Sequence, residues 1–426
     1  MRIGVYNRNM TELELSKSIL KKVVENDYPF ALILKNTFKK QKVEPYQKAN
    51  VTALVGCELR HHYIFDNLIA RYIGEVEFEK TIYLRFALAN RKFLKRFNDQ
   101  ELVKLAYQDL GQEKVDALIS FVDSTDQIIP EELDKTSPEF LSLRFNTPAW
   151  VIRMWQKQYG KGVVFKVLKV NYRPSAASIR VNERNIDVSE FLAKHPDFAA
   201  APIDNMIVYQ GRGTPKSIKE FESNDLFFEK MATKYILDQL DLDPIKGIAI
   251  FSEVPNNIYL DLVTRFGKEV KADLIINHTA SFFETRKVIE SQGYSHIFAC
   301  EGEVGSLITC LSHKVHTLLC MPKSTLFDLL RSTPDYFLRI KQDKLDEIIV
   351  HQQECLEECS KYVEEGGELV YMIPTLSRKE SNNVIANFLV KHPEYKLIEE
   401  RQFFPFEVYD SCLYSARLMK AEETSD

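Results

Sequence analysis

Apolar residues recur at two different periods along this chain, and the change of period divides it. Up to about residue 125 the spacing is helical. Thr11-Glu12-Leu13-Glu14 is a capping box, with Thr11 as N-cap and Glu14 three residues on. Leu13, Ile19, Leu20, Val23 and Val24 then share one helical face. Similar patterns over Val51–Tyr72, Glu79–Phe97, Gln100–Asp109 and Lys114–Val122 predict an all-helical domain over 1–125, with five or more helices. Asp123–Pro138 is polar, carries Pro130 and Pro138, and reads as a linker. Next comes a helix with Thr147 as cap, Pro148 at its first position and Gly160 as its stop. Val151 and Trp155, like Trp150 and Met154, pair four residues apart as a core stripe, while Arg153 and Lys157 share another face.

From Ser178 onward short apolar runs take over. Ser178–Asn182 and Asn205–Gly211 predict strands of a small α+β subdomain spanning 139–230. Ile245–Phe251, Leu274–Asn277, Val315–Cys320 and Leu369–Ile373 predict buried strands of a parallel sheet over 231–420. Between the last two, Leu345, Ile348, Ile349, Gln352, Cys355, Leu356, Cys359, Tyr362 and Val363 repeat every three or four residues, and Gly366-Gly367 is expected to stop that helix. Strand, helix, strand is one βαβ unit, so the expected class is α/β with a doubly wound, Rossmann-like third domain. Ligands of such sheets sit at the carboxyl ends of the strands, here Pro322–Ser324 and Pro374–Thr375.

Composition narrows this little. The hydrophobic share of 45% and charged share of 27% are those of a soluble globular protein. No run reaches the 18 or so apolar residues of a membrane helix, and Met1–Asn7 lacks a signal-peptide layout, so no membrane is expected. The seven cysteines show no paired spacing, which suggests a reducing cytoplasm. Cys355 and Cys359 lie on a core stripe, and the adjacent His61 and His62 face different sides of a helix, so no metal is expected. The chain reads as a monomer. Its net charge of -5 conceals an asymmetry: residues 139–190 hold nine basic side chains against four acidic ones. A basic segment of this kind fits RNA contact, and charge alone fits a solvated face equally well.

Several of these stretches resemble the RsmB/NOP family of RNA 5-methylcytosine methyltransferases. Phe145–Gly160, with Asn171-Tyr172-Arg173-Pro174 and Ile179-Arg180-Val181-Asn182 after it, is similar to that family's RNA-contacting segment. Leu54–Ile69 resembles a central helix of the NusB-like domain that precedes the methyltransferase in RsmB proteins. Leu318–Ser324 and Gly366–Thr375 resemble the two motifs that carry the family's catalytic cysteines, Asp-Ala-Pro-Cys-Ser and Tyr-(Ala/Ser)-Thr-Cys-Ser. The resemblance implies ribosomal RNA as partner, S-adenosylmethionine as cofactor, and RNA contacts from Arg144, Arg153, Lys157, Arg173 and Arg180.

The departures fall on the chemistry. Lys323 and Pro374 stand where the resemblance demands thiols. One thiolate would add to the cytosine ring and the other would help release product; neither lysine nor proline can do this. Cys320 is the nearest thiol, but strand alternation should point it away. Of the family's Pro-Gly-Gly-Lys cofactor turn only Pro255 remains, followed by Asn256 and Asn257, which accept left-handed backbone and so allow the turn to survive. Asn277 takes the place of the acid that accepts the ribose hydroxyls, and Glu301 lies where the family contacts adenine. These substitutions leave cofactor binding and enzymatic activity open. The favoured reading is an RNA-binding family member with lost or reduced catalysis. The alternatives are an active methyltransferase with divergent motifs, and a NusB-like protein-binding or antitermination module.

Overall fold

The Thr11–Glu14 box forms as the sequence predicts: the Glu14 amide donates to Thr11 Oγ1 at 3.2 Å and the Thr11 amide to Glu14 Oε2 at 2.8 Å, opening the helix Glu12–Glu25. The structure is a computed structural model that describes residues 10–26, 28–41, 43–171, 177–211, 213–325 and 327–422. The chain folds as two units, Met1–Tyr172 with Leu329–Ile340, and Arg173–Asp328 with Lys341–Asp426. The division falls inside the 139–230 stretch.

The first unit is helical. Its core gathers Ile19, Leu20, Leu54, Val55, Phe65, Phe86, Leu102 and Leu118. The pattern over Val51–Tyr72 is two helices, Pro45–Arg60 and His62–Tyr72, broken at His61. The pattern over Glu79–Phe97 is the helix Phe78–Ala89 followed by a wide turn, Asn90–Leu94, that ends at Lys95 with φ 51°. Two further helices, Phe30–Lys40 and Lys161–Asn171, lie in stretches left unassigned from the sequence, although Phe30 and Ile33, and Val164, Val167 and Leu168, are buried at helical spacing. The expected helix at Thr147 is Ala149–Tyr159. Pro148, not Thr147, is its N-cap, because the Thr147 hydroxyl donates back to the Phe145 carbonyl at 3.1 Å. Gly160 stops it with φ 82°.

The second unit holds two sheets. In the smaller, β1 (Ala177–Val181), β2 (Phe198–Ala200), β3 (Met206–Tyr209) and β4 (Leu226–Phe228) pair antiparallel in the order β2-β3-β1-β4. Ile179, Val181, Ile207 and Leu226 pack with Phe191 of the helix Val188–Lys194. The larger sheet comprises β5 (Ile248–Ser252), β6 (Ala272–Ile276), β7 (Ile297–Glu301), β8 (Val315–Met321), β9 (Val363–Ile373), β10 (Tyr395–Phe403) and β11 (Leu413–Lys420). Its order is β10-β11-β9-β8-β5-β6-β7, with β5 to β9 parallel and β11 antiparallel to both its neighbours.

Period-two alternation sends Ile248, Ile250, Leu319 and Val370 into one core, and Ala249, Phe251, Leu318, Cys320 and Tyr371 into the other. Every residue of β5 is buried, as its continuous apolar run requires. The order of strands reverses between β5 and β8, so the crevice of this sheet opens at their carboxyl ends.

The βαβ unit at Val315–Ile373 is present, with one correction. The helix Lys344–Ser360 ends before the glycines, and Gly366-Gly367 lies within β9. There the register with β8 shifts between Val315 and Thr317. Gly366 takes φ 75°, and a Cβ on Gly367 would lie 2.7 Å from the His316 carbonyl oxygen. The glycine pair serves a bulge and a close backbone approach, and a glycine pair looks the same in a sequence whether it stops a helix or kinks a strand.

Candidate functional site

Four elements converge at the carboxyl ends of β5 and β8. Ser252, Ile276, Glu301 and Met321 close their strands level with one another, Ser252 pairing with Ile276 and Met321, and Ile276 with Glu301. Glu253 follows β5 and is buried at 7% exposure. Its carboxylate accepts from Asn277 Nδ2 at 2.7 Å, just past β6, and from the Lys323 amide at 2.9 Å, past β8. His351 Nε2, on the helix Lys344–Ser360, lies 2.6 Å from it, and the Cys355 thiol 3.9 Å. Burial alone would raise the Glu253 pKa; the Lys323 amide, His351 and Asn277 outweigh it and hold the carboxyl below its ordinary value.

A second buried carboxylate ties the two turns together. Glu380 accepts from the Thr325 amide at 2.9 Å, Thr325 Oγ1 at 2.8 Å, Thr375 Oγ1 at 2.7 Å and Gln352 Nε2 at 3.1 Å. Burial raises its pKa against these bonds. Ser324 Oγ donates to the Pro374 carbonyl at 3.1 Å, and Gln352 Nε2 to the Lys323 carbonyl at 3.0 Å. The turns holding Lys323 and Pro374 therefore lie side by side. Lys323 is exposed and Pro374 half-buried.

Cys320, Cys355 and Cys359 are all fully buried, and burial raises each of their pKa values. Burial of this kind disfavours the thiolate, which is the nucleophilic form. Cys300 and Cys310 form a disulfide, against the expectation of unpaired cysteines. The pair closes a short loop after β7, a ten-residue spacing with Gly302 between that a sequence reading could have noticed.

The cofactor positions are present but turned to other work. The Asn277 amide is held by Glu253. Asn256 Nδ2 donates to Ser252 Oγ at 2.8 Å and to the Val254 carbonyl at 3.2 Å, and Asn257 Nδ2 to the Phe228 carbonyl at 2.9 Å. Neither asparagine adopts the left-handed backbone; Asn257 has φ -123°, and side-chain bonds hold the turn instead. Pro255 is exposed beside them, and Glu301 is exposed at the end of β7. A buried carboxylate with four partners thus stands in the crevice, and Asn256 and Asn257 beside it are engaged in bonds of their own. These residues do not fit S-adenosylmethionine in the manner of the glycine turn and ribose acid.

Of the cations expected to meet RNA, Arg144, Arg153 and Lys157 are exposed. Arg144 lies over the Phe145 ring at 5.5 Å, and Arg153 pairs with Glu139 at 2.6 Å. Arg173 lies outside the described residues. Arg180 is a correction: it is 1% exposed, and its guanidinium binds Asp261 and Glu183. A buried arginine with two carboxylate partners is part of the core and cannot reach a phosphate.

Comparison with known proteins agrees with this architecture. The family model for the ferredoxin-like domain of RsmF/B-like methyltransferases matches residues 147–196. The chain is 20% identical over 400 residues, 90% of its length and 89% of the relative's, to the probable ribosomal RNA small subunit methyltransferase B of Bacillus subtilis. Its fold is similar to the crystal structure of PH0851, with a TM-score of 0.73 at 16% identity, covering 97% of this chain and all of that one. It is also similar to a methyltransferase homolog protein from Pyrococcus horikoshii, with a TM-score of 0.56 at 15% identity, covering 68% of this chain and all of that one. The sheet order, the paired turns and these matches make the chain similar to RsmB-type methyltransferases in sequence and in fold.

Proposed function

We propose that this protein binds ribosomal RNA and does not form 5-methylcytosine by the two-cysteine route. The observation that carries the reading is the pairing of Lys323 and Pro374 in adjacent turns at the strand ends, with every nearby thiol buried. A protonated lysine has no lone pair to offer the pyrimidine ring, and proline has no side-chain base. The similarity to a small-subunit rRNA methyltransferase over nine-tenths of the chain supports ribosomal RNA as the partner. RNA contact is assigned to the exposed face of Arg153 and Lys157, with Arg144 beside it in sequence. The resemblance of Leu54–Ile69 and the helical fold of the first unit support a NusB-like role for that unit.

Titration calorimetry with S-adenosylmethionine on the full chain tests the loss of cofactor. The account expects no saturable heat. Tight binding would instead support an active methyltransferase that reaches cytosine by other groups.

A further inference from the structure

We infer that Glu253, His351 and Cys355 form a binding site for a borderline divalent cation, zinc or cobalt, at the carboxyl ends of β5 and β8. This goes beyond RNA binding and does not depend on it.

The three side chains offer a carboxylate oxygen, an imidazole nitrogen and a sulfur, all within 4.8 Å of one another. His351 and Cys355 are four residues apart on the helix Lys344–Ser360, which stacks them on one face. Glu253 reaches them from the turn after β5. The Nε2 to Sγ distance is 3.4 Å and the carboxylate oxygen to Sγ distance 3.9 Å. Tetrahedral zinc with ordinary bond lengths places such donor pairs about 3.6 Å apart, and an oxygen and a nitrogen about 3.4 Å apart. Two of the three edges already match. The third, Glu253 to His351 at 2.6 Å, has to open by a fraction of an ångström, within reach of a half-exposed histidine.

The surroundings suit a metal. Asn277 and the Lys323 amide fix the carboxylate with two hydrogen bonds, which leaves it oriented towards the helix. The other ring nitrogen of His351 lies 4.0 Å from Glu354 Oε2, beyond hydrogen-bond distance. His351 is 21% exposed while Glu253 and Cys355 are buried, so the cation has an entry side and a dry floor. Sulfur, nitrogen and one oxygen together select zinc or cobalt over magnesium or calcium, which take oxygen donors. Three protein ligands leave a fourth position for water or a substrate oxygen. The thiol enters as thiolate, its proton passing to solvent as the metal–sulfur bond forms.

Cobalt(II) titrated into the chelator-treated full-length chain reads this out without any assay of activity. The expected result is one equivalent bound, with the visible bands of tetrahedral cobalt and a thiolate charge-transfer band in the near ultraviolet. Cys355→Ser should remove the charge-transfer band. His351→Ala, at a partly exposed position that should fold, should weaken affinity by more than about 100-fold. Absence of saturable cobalt uptake by the wild-type chain would overturn the site. Uptake that is unchanged in both Cys355→Ser and His351→Ala would overturn it equally, since the metal would then be held elsewhere.

Discussion

The Arg180 guanidinium donates through Nε to the Asp261 carboxylate at 2.8 Å, with both side chains buried. Arg180 lies in β1 of the small sheet and Asp261 on the helix Ile258–Phe266 that follows β5, so the pair joins the two sheets of the second unit. Asp261 also pairs with Arg265. Removing Asp261 leaves the buried Arg180 with only the more exposed Glu183 of its two carboxylate partners. Asp261→Ala should therefore cost about 3–5 kcal/mol, read as a lower urea midpoint, and the double variant Arg180→Met/Asp261→Leu should recover part of that loss. A single variant as stable as wild type would contradict the assignment of Arg180 to the core.

Glu229 lies beside this network, buried, and neither of its carboxylate oxygens has a hydrogen-bond partner among the described residues. Burial first, and the Asp261 charge second, raise its pKa well above the ordinary value, despite Arg180, Arg265 and Lys234 nearby. The folded state therefore holds a proton that the unfolded chain gives up once pH passes the ordinary carboxyl range. Its contribution is fully present below that range and is lost as pH rises towards the raised folded value. Glu229→Gln should be more stable than wild type at neutral pH by about 1 kcal/mol or more, with the difference shrinking as pH falls towards 4.5. Thermal melts at a series of pH values check this; a gain independent of pH would contradict it.

Gly367→Ala should destabilise the second unit by about 1–3 kcal/mol, because the new Cβ meets the backbone oxygens of His316 and Glu364 and neither can move cheaply. Gly366→Ala, at φ 75°, should cost about 1–2 kcal/mol through backbone conformation. Equal stability of wild type and Gly367→Ala would show that the bulge is looser than these distances.

Much of this architecture could be read from apolar spacing. Buried parallel strands such as Ile248–Ser252 are continuous apolar runs, and the helix Lys344–Ser360 declares itself by period, because local burial writes local patterns. What could not be read depends on partners far apart in sequence. Arg180 looks like a surface cation until Asp261, 81 residues on, is known to face it. Glu253, Asn277 and His351 meet from two strand ends and a helix, and none carries a motif that names the others. Gly366-Gly367 and Thr147 were ambiguous for another reason: glycine pairs and threonines serve several local geometries, and only the neighbouring backbone selects one.

Replacing Arg153 and Lys157 together by Ala should weaken binding to a ribosomal RNA fragment and lower the slope of log affinity against log salt by about one per residue. The Arg153–Glu139 pair is exposed on both sides, so its loss should cost the fold little. Fluorescence anisotropy across a salt series separates the outcomes. Unchanged affinity and slope in the folded double variant would place RNA contact elsewhere.

The proposal that the strand-end turns do not carry the two-thiol reaction rests on Lys323 and Pro374. Its most direct test is transfer of labelled methyl from S-adenosylmethionine to unmodified ribosomal RNA by the purified wild-type chain. With Lys323 exposed, Pro374 without a side-chain base and Cys320 fully buried, the predicted result is no incorporation at cytosine. Stoichiometric 5-methylcytosine, abolished by Cys320→Ala, would contradict the account and make a relocated thiol the nucleophile.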